Sequence, residues 1–270
     1  MSNLPALKKS LGSDVIKSKF NQILGSKAPG FISSILNIVG NNSYLQKADA
    51  NSVIMAAAVA ATLDLPIDPN LGFSAIVPYG NKAQFQIMYK GLVQLAMRSG
   101  QYKTIGATAI YQGQLISENP LTSEYEFDFK VKPKGDPIGY AAYFSLLNGF
   151  DKTVYWPIEK IDQHGKKFSK SYSNKNGLWK NDFEAMAIKT VLKNLLAKWG
   201  ILSIEMQNAV KYDQSIVNDI NSDDYEYTDN PIEDAVEVEK SINEKKAEMK
   251  AKKDDKGTDG KATQTEMELP

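Results

Sequence analysis

Lys189 and Thr190 stand side by side, as they would in a phosphate-binding loop. That loop needs a glycine-rich turn just ahead, so that backbone amides face the anion. No such glycines precede this pair, and it falls mid-way along a helical pattern, so the sequence holds no nucleoside-triphosphate loop of this type. Asp128-Phe129-Lys130 has the acid-x-lysine spacing with which some nucleases hold magnesium. The same residues also read as the polar face of an alternating strand. Asp64 and Asp68 flank Pro66, where a turn role competes with a metal role. Cysteine is absent and the single histidine is His164. Disulfides, thiolate zinc sites and cysteine nucleophiles are therefore excluded, and a histidine metal centre or Ser-His triad has little to draw on.

The basic residues are more informative. Between Lys152 and Lys198 there are ten lysines against four acids, with Phe168, Tyr172 and Trp179 interleaved. Lys166, Lys167, Lys170 and Lys175 sit among hydroxyls that can also donate to phosphate. Lysines that neutralise phosphates release counterions, which makes binding salt-dependent; a merely solvated basic face is the alternative. Phe168 and Tyr172 could stack on bases or anchor the segment to the core. A second cluster surrounds residues 84–100. Gln84 and Gln86 project from one face of a strand and Phe85 and Ile87 from the other, followed by Lys90, Arg98 and Lys103. Arg98 is the one arginine beside 31 lysines. Such sparing use suggests a fork-shaped partner, a phosphate or carboxylate, or else an internal ion pair.

The elements that position these residues follow from periodicity. Ser13-Asp14 can cap a helix ending at Gly25, and Pro29 and Gly40 bracket another. An alanine-rich helix spans about Asn51 to Leu63 and is suited to close packing against a sheet or another subunit. From Phe73 the texture changes to strands: Phe73–Tyr79 and Ala83–Met88 around a short hairpin, then Tyr102–Tyr111, Tyr125–Lys132, Tyr140–Leu147 and Lys152–Trp156. A helix lies at Tyr89–Ser99. The polar segment 161–180 reads as helix and then loop. A long helix closing at Gly200 carries an apolar stripe from Ile188 to Trp199. Asn181 with Glu184 forms its expected capping box, and Lys189 and Lys193 sit beside the stripe.

The 270 residues sum to zero net charge, but unevenly. Up to Tyr212 there are 24 Lys+Arg against 15 Asp+Glu; beyond it, 8 against 17. This is a basic body with an acidic tail. Three regions are expected: N-terminal helices over 1–46 as candidate subunit contacts, a core over 47–212, and an acidic linker and partner-binding tail over 213–270. The tail should be largely disordered, with one amphipathic helix from Asn230-Pro231 to about Lys253. No signal-peptide pattern and no continuous apolar run of membrane-spanning length stands out.

Three segments together resemble one family. LDLPIDPNLGFSAIVPY (63–79), QFQIMYKGLVQLAMRSGQY (84–102) and the W-x3-FEAMAIKTVLKNLLAKW block (179–199) are similar, in order, to the phage RecT family of single-strand annealing recombinases. The likeness covers about residues 45–212. It implies an α+β fold, a small antiparallel β-sheet backed by a long helix, with DNA in a basic groove. It also implies ATP-independent binding and annealing of single-stranded DNA in homologous recombination, without catalytic turnover, in the cytoplasm of a bacterial host. No cofactor would be required, magnesium at most modulating. Partners would be single-stranded DNA, its complement, and further copies of the chain in a ring or helical filament. A phage exonuclease or host single-strand-binding protein would dock on the tail, and no membrane is involved. Matching positions place Gln86, Lys90, Arg98, Lys103, Lys189 and Lys193 in the groove, with Lys166, Lys167, Lys170 and Lys175 alongside. The competing readings are a magnesium-dependent nuclease built on Asp128 and Lys130, and a passive single-strand coat.

Overall fold

The computed structural model describes residues 2–169, 172–175, 177–219 and 224–227. In chain order the helices Leu4–Leu11 (α1), Asp14–Leu24 (α2), Ala28–Gly40 (α3) and Ala50–Thr62 (α4) come first. The strands Ser74–Tyr79 (β1) and Lys82–Ile87 (β2) follow, then helix Tyr89–Arg98 (α5). Next come Tyr102–Ile110 (β3), Leu115–Asn119 (β4), Glu124–Phe127 (β5), Gly139–Leu146 (β6) and Asp151–Pro157 (β7). Helices Ile158–Phe168 (α6), Leu178–Asn181 (α7), Phe183–Trp199 (α8) and Ile204–Tyr212 (α9) lead to the last strands, Ser215–Asp219 (β8) and Asp224–Tyr227 (β9). This is an α+β fold with antiparallel strand pairing.

The strands divide among three sheets, ordered β1-β2-β8-β9, β3-β6-β7 and β4-β5. Helix α8 packs on β3, β6 and β7 and against α5, which is the expected long helix behind an antiparallel sheet. Helix α4 packs on the other large sheet, through β2 and β8, and against α1 and α2. Every residue from Ser52 to Ala61 is buried. A helix of small side chains can be enclosed on all sides because backbones approach closely around it. Its alanines therefore serve the interior of this chain, and α4 keeps no free face for a second copy.

Local expectations hold at several termini. Ser13 caps α2, its hydroxyl accepting the Ile16 N–H, and Pro29 lies in the first turn of α3. The β1–β2 hairpin closes with Tyr79 opposite Lys82, and Gly80 adopts φ 58°. Within Asp14–Gly40 one 18-residue window reaches a mean hydropathy of 1.2, weak evidence for a membrane span. The stretch bends at Gly25 (φ 55°), and Phe20, Ala28, Ile35 and Val39 enter the core.

Other expectations need correction. The cap of α8 is Asp182, whose carboxylate accepts the Ala185 N–H at 3.1 Å, whereas Asn181 ends α7. The strand expected over Tyr125–Lys132 stops at Phe127. Asp128 instead folds back, its carboxylate accepting the Lys130 N–H at 2.9 Å and its own N–H reaching the Gln114 carbonyl. β4, its hairpin partner, carries no strong apolar alternation and was not foreseen. The largest difference lies beyond Tyr212. β8 joins β2 opposite Phe85, and β9 completes that sheet, so a boundary at 212 cuts through it. Tyr225 packs edge-on to Tyr212 and Tyr227, and the Tyr227 hydroxyl donates to the Lys211 carbonyl at 2.6 Å. Aromatic packing thus holds a segment that its acidic composition marks as linker. The expected helix over 231–253 lies outside the described residues.

Candidate nucleic-acid interface

The two lysines of α8 lead to the least expected feature of the molecule. Lys189 and Lys193, one turn apart, are only 4% and 3% exposed, and both close on Asp213. Lys189 Nζ lies 3.2 Å from Asp213 Oδ1, and Lys193 Nζ lies 2.7 Å from Oδ2. Oδ1 also accepts the Ile87 N–H at 3.0 Å. Asp213 sits at the α9–β8 junction, so the cluster ties α8 to the end of β2. Burial alone would raise the Asp213 carboxyl, but Lys189 and Lys193 together outweigh it and hold it below its ordinary value. Burial lowers the Lys189 ammonium, and Lys193 beside it adds to the effect, against the pull of Asp213. The void against these three side chains is about 20 Å³, room for roughly one water. A phosphate does not fit there.

That void adjoins a much larger cavity, of about 420 Å³. The two share Ser169, Trp179, Met186 and Gln214. β2 supplies Gln84 and Gln86 to the large cavity, while Phe85 and Ile87 on its opposite face are fully buried. This is the alternation read from the sequence. Gln214 takes a left-handed φ of 66° while its N–H bonds to the Phe85 carbonyl at 2.9 Å. A non-glycine residue accepts that conformation only where its surroundings enforce it. Trp179, 5% exposed, also lines the cavity, and its Nε1–H has no hydrogen-bond partner among the described residues.

The remaining basic residues fall into groups. Lys166 and Lys167 are exposed on α6, and Lys175 is exposed in the following segment. Lys166 pairs with Asp162, which also accepts the Tyr172 hydroxyl. Lys167 lies 4.6 Å from the centre of the Phe168 ring. The same stretch of chain, 166–180, supplies Ser169, Asn174, Gly177, Leu178 and Trp179 to the cavity lining, and none of its described lysines is among the lining residues. Lys170 lies outside the described residues. Phe168 and Tyr172 are buried, and Tyr172 packs on Trp179, so both anchor this segment. The Tyr172 ring lies so close to Gly165 that a Cβ there would come within 2.4 Å of it. Burial, with help from Asp162, pushes the Tyr172 hydroxyl up to about 12.

Lys90 and Lys103 are exposed at the starts of α5 and β3, and neither lines the cavity. Arg98 is turned to a structural task. Its two terminal nitrogens donate to the carbonyls of Leu63 and Asp64 at 2.6 and 2.8 Å, closing the C-terminus of α4. The fork expected of a lone arginine is present, with backbone oxygens as its partner rather than phosphate. Asp128, bound in its own turn, belongs to no group of three or more metal-capable side chains among the described residues.

Sequence reasoning missed Asp213, Gln214 and the unpaired Trp179 nitrogen. A trace of the first was available, because Asp213-Gln214 is followed by Ser215-Ile216-Val217, a short strand-like run that carries the body past Tyr212. Nothing in the sequence pairs it with lysines twenty residues earlier.

An α+β body in which one stretch of chain carries exposed lysines and lines a cavity without charged side chains among the described residues suits a protein that handles nucleic acid. Comparison with known proteins gives the family: the RecT family model matches residues 29–230, and the chain belongs to that family. Among its relatives is the uncharacterized protein YqaK of Bacillus subtilis (strain 168), 55% identical over 204 residues, or 76% of this chain and 70% of YqaK. Protein RecT of Escherichia coli (strain K12) is 26% identical over 185 residues, 63% of this chain and 65% of RecT. Membership supports DNA binding and a role in recombination by single-strand annealing.

Proposed function

We propose that this protein anneals complementary DNA strands without ATP, metal catalysis or covalent chemistry. The observation that carries the proposal is the run of exposed lysines, Lys166, Lys167, Lys175 and Lys180, in the stretch of chain that also supplies five residues to the cavity lining. Lysines are flexible point charges that follow a phosphate backbone without reading sequence. One strand is held by its backbone along this side, and a second samples register by base pairing. Specificity then resides in Watson–Crick geometry. Lys90 and Lys103 extend the contact where neighbouring protomers continue the strand. Each protomer covers only a few nucleotides, so copies join in a ring or helical filament, with the exposed Val15 and Tyr44 of the N-terminal region as contact candidates. The residues beyond Tyr227 recruit an exonuclease or a host single-strand-binding protein in the bacterial cytoplasm, and magnesium acts at most as a modulator.

Complementary fluorescent oligonucleotides mixed with the protein in EDTA without ATP test the reading. Faster duplex formation than in buffer is expected. Slower formation identifies a passive coat. Cut products appearing with magnesium and lost in Asp128→Ala identify a nuclease.

A further inference from the structure

We propose that the large cavity is a nucleobase pocket, which receives one unstacked base per protomer from the strand held on the neighbouring lysines. This rests on the single-strand-binding reading and adds a site to it.

Among the described residues no charged side chain lines the 420 Å³ cavity, and its walls are amide, hydroxyl, aromatic and apolar groups. The buried lysines behind it are both paired with Asp213 and face a void too small for a phosphate. The size suits a small planar molecule, within the roughly 300–1,000 Å³ of ligand sites. Two polar groups at its wall lack partners. Trp179 Nε1–H is buried and unpaired among the described residues, an arrangement that native proteins avoid unless something supplies an acceptor. The Gln86 carboxamide, 8% exposed, has no hydrogen bond to any described residue. Every base offers a ring nitrogen or carbonyl oxygen to the indole N–H. A carboxamide both donates and accepts, so it can meet the edge of any base. Trp179, Tyr79 and Met186 supply flat or polarisable surfaces for the ring faces, contacts that do not depend on sequence. Gln214, held in its left-handed conformation, adds a second amide at the cavity floor. The pocket is thus tolerant of base identity, as a sequence-indifferent annealer requires.

The test compares an oligothymidylate with an abasic oligomer of the same length, at one salt concentration, on the full chain and on Trp179→Phe and Gln86→Met. Thermal unfolding confirms that each variant is folded. The intact oligomer is expected to bind about tenfold more tightly than the abasic one, as loss of one stacked base implies. Both variants should lose much of that advantage while keeping wild-type affinity for the abasic oligomer. Should Trp179→Phe fail to fold, Gln86→Met alone decides, since its side chain is similar in volume and leaves the tryptophan in place. Equal affinities for the two oligomers, an advantage unchanged in the variants, or an equal loss for both oligomers would each overturn the pocket and leave the annealing reading standing. Failure of the wild type to bind either oligomer would instead remove the annealing reading itself.

Discussion

Lysines do two different jobs in this chain, and the contrast between α8 and α6 shows why type and spacing alone do not assign them. Lys189 and Lys193 are one turn apart on α8; Lys166 and Lys167 are adjacent near the end of α6. The first pair is enclosed between two sheets and held by one carboxylate, and the second is open to solvent. A buried ammonium without a partner is costly, so the α8 lysines are committed to Asp213. A solvated ammonium surrenders little on meeting a phosphate and gains counterion release. The α8 pair therefore belongs to stability, and the α6 side is where the proposed function puts binding.

The sharpest way to break that division is Asp213→Ala, which strands two buried cations and removes the acceptor of Ile87. A loss of about 3–5 kcal/mol is expected in urea unfolding, or no folded protein at all. Asp213→Asn, which keeps an acceptor, should lose less. A midpoint unchanged in Asp213→Ala would show that the cluster carries no stability.

Truncation comes next. Ending the chain after Tyr227 should leave the thermal midpoint and the annealing of naked oligonucleotides unchanged. Ending it after Tyr212 removes Asp213, β8 and β9, and should abolish cooperative unfolding. Equal behaviour of the two truncations would place the last sheet strands outside the folded unit.

Salt dependence separates the two lysine groups directly. Replacing Lys166, Lys167 and Lys175 with Ala together should flatten the log–log salt slope for single-stranded DNA by about 2, at roughly 0.7 per lost phosphate contact. Lys189→Met should leave the slope unchanged and stability equal or higher, because Lys193 still pairs with Asp213. A flattened slope in Lys189→Met would put that residue on DNA after all.

A pH series sharpens the same comparison. The folded state holds the Lys189 ammonium below its ordinary value of 10.5, so the unfolded chain binds more protons in the interval beneath it. Stability from this group therefore rises as pH climbs toward the ordinary lysine range. Asp213 has the same sign at the acid end: its contribution is complete above the ordinary carboxyl value of 3.8 and is lost as pH falls through its lowered folded value. The wild-type urea midpoint should gain on that of Lys189→Met as pH climbs toward 10.5, a difference in which the tyrosines common to both proteins cancel; a constant difference would remove Lys189 from the pH dependence. The smallest effect is expected for Arg98→Lys, about 1 kcal/mol, because one ammonium cannot serve the Leu63 and Asp64 carbonyls with the geometry of a fork.

Much of the architecture was legible because it rests on local rules. The Ser13 cap, the β1–β2 hairpin, the two-faced β2 strand and the helices around Gly25, Gly40 and Gly200 all follow from spacing and turn chemistry within a few residues. Of the candidate site, Gln86 could be placed on the correct face of its strand, since that too is a period-two property. Asp182 in place of Asn181, and the early end of β5 at Phe127, were errors of one to five residues, where competing caps and a side-chain turn decide. The tail strands escaped because acidic composition marks solvent exposure, while Tyr212, Tyr225 and Tyr227 bury against one another.

Residue order by itself determined most of the helices and the longer strands, which faces of those strands are apolar, and that a basic body precedes an acidic end. These depend on interactions between near neighbours along the chain. Only the tertiary structure decided that Asp213 meets Lys189 and Lys193, that Arg98 closes α4, and that Trp179 and Gln86 share a cavity. Those meetings join residues 20 to more than 90 positions apart, and a charge's role changes from binding to bracing with the solvent around it, which no local pattern records.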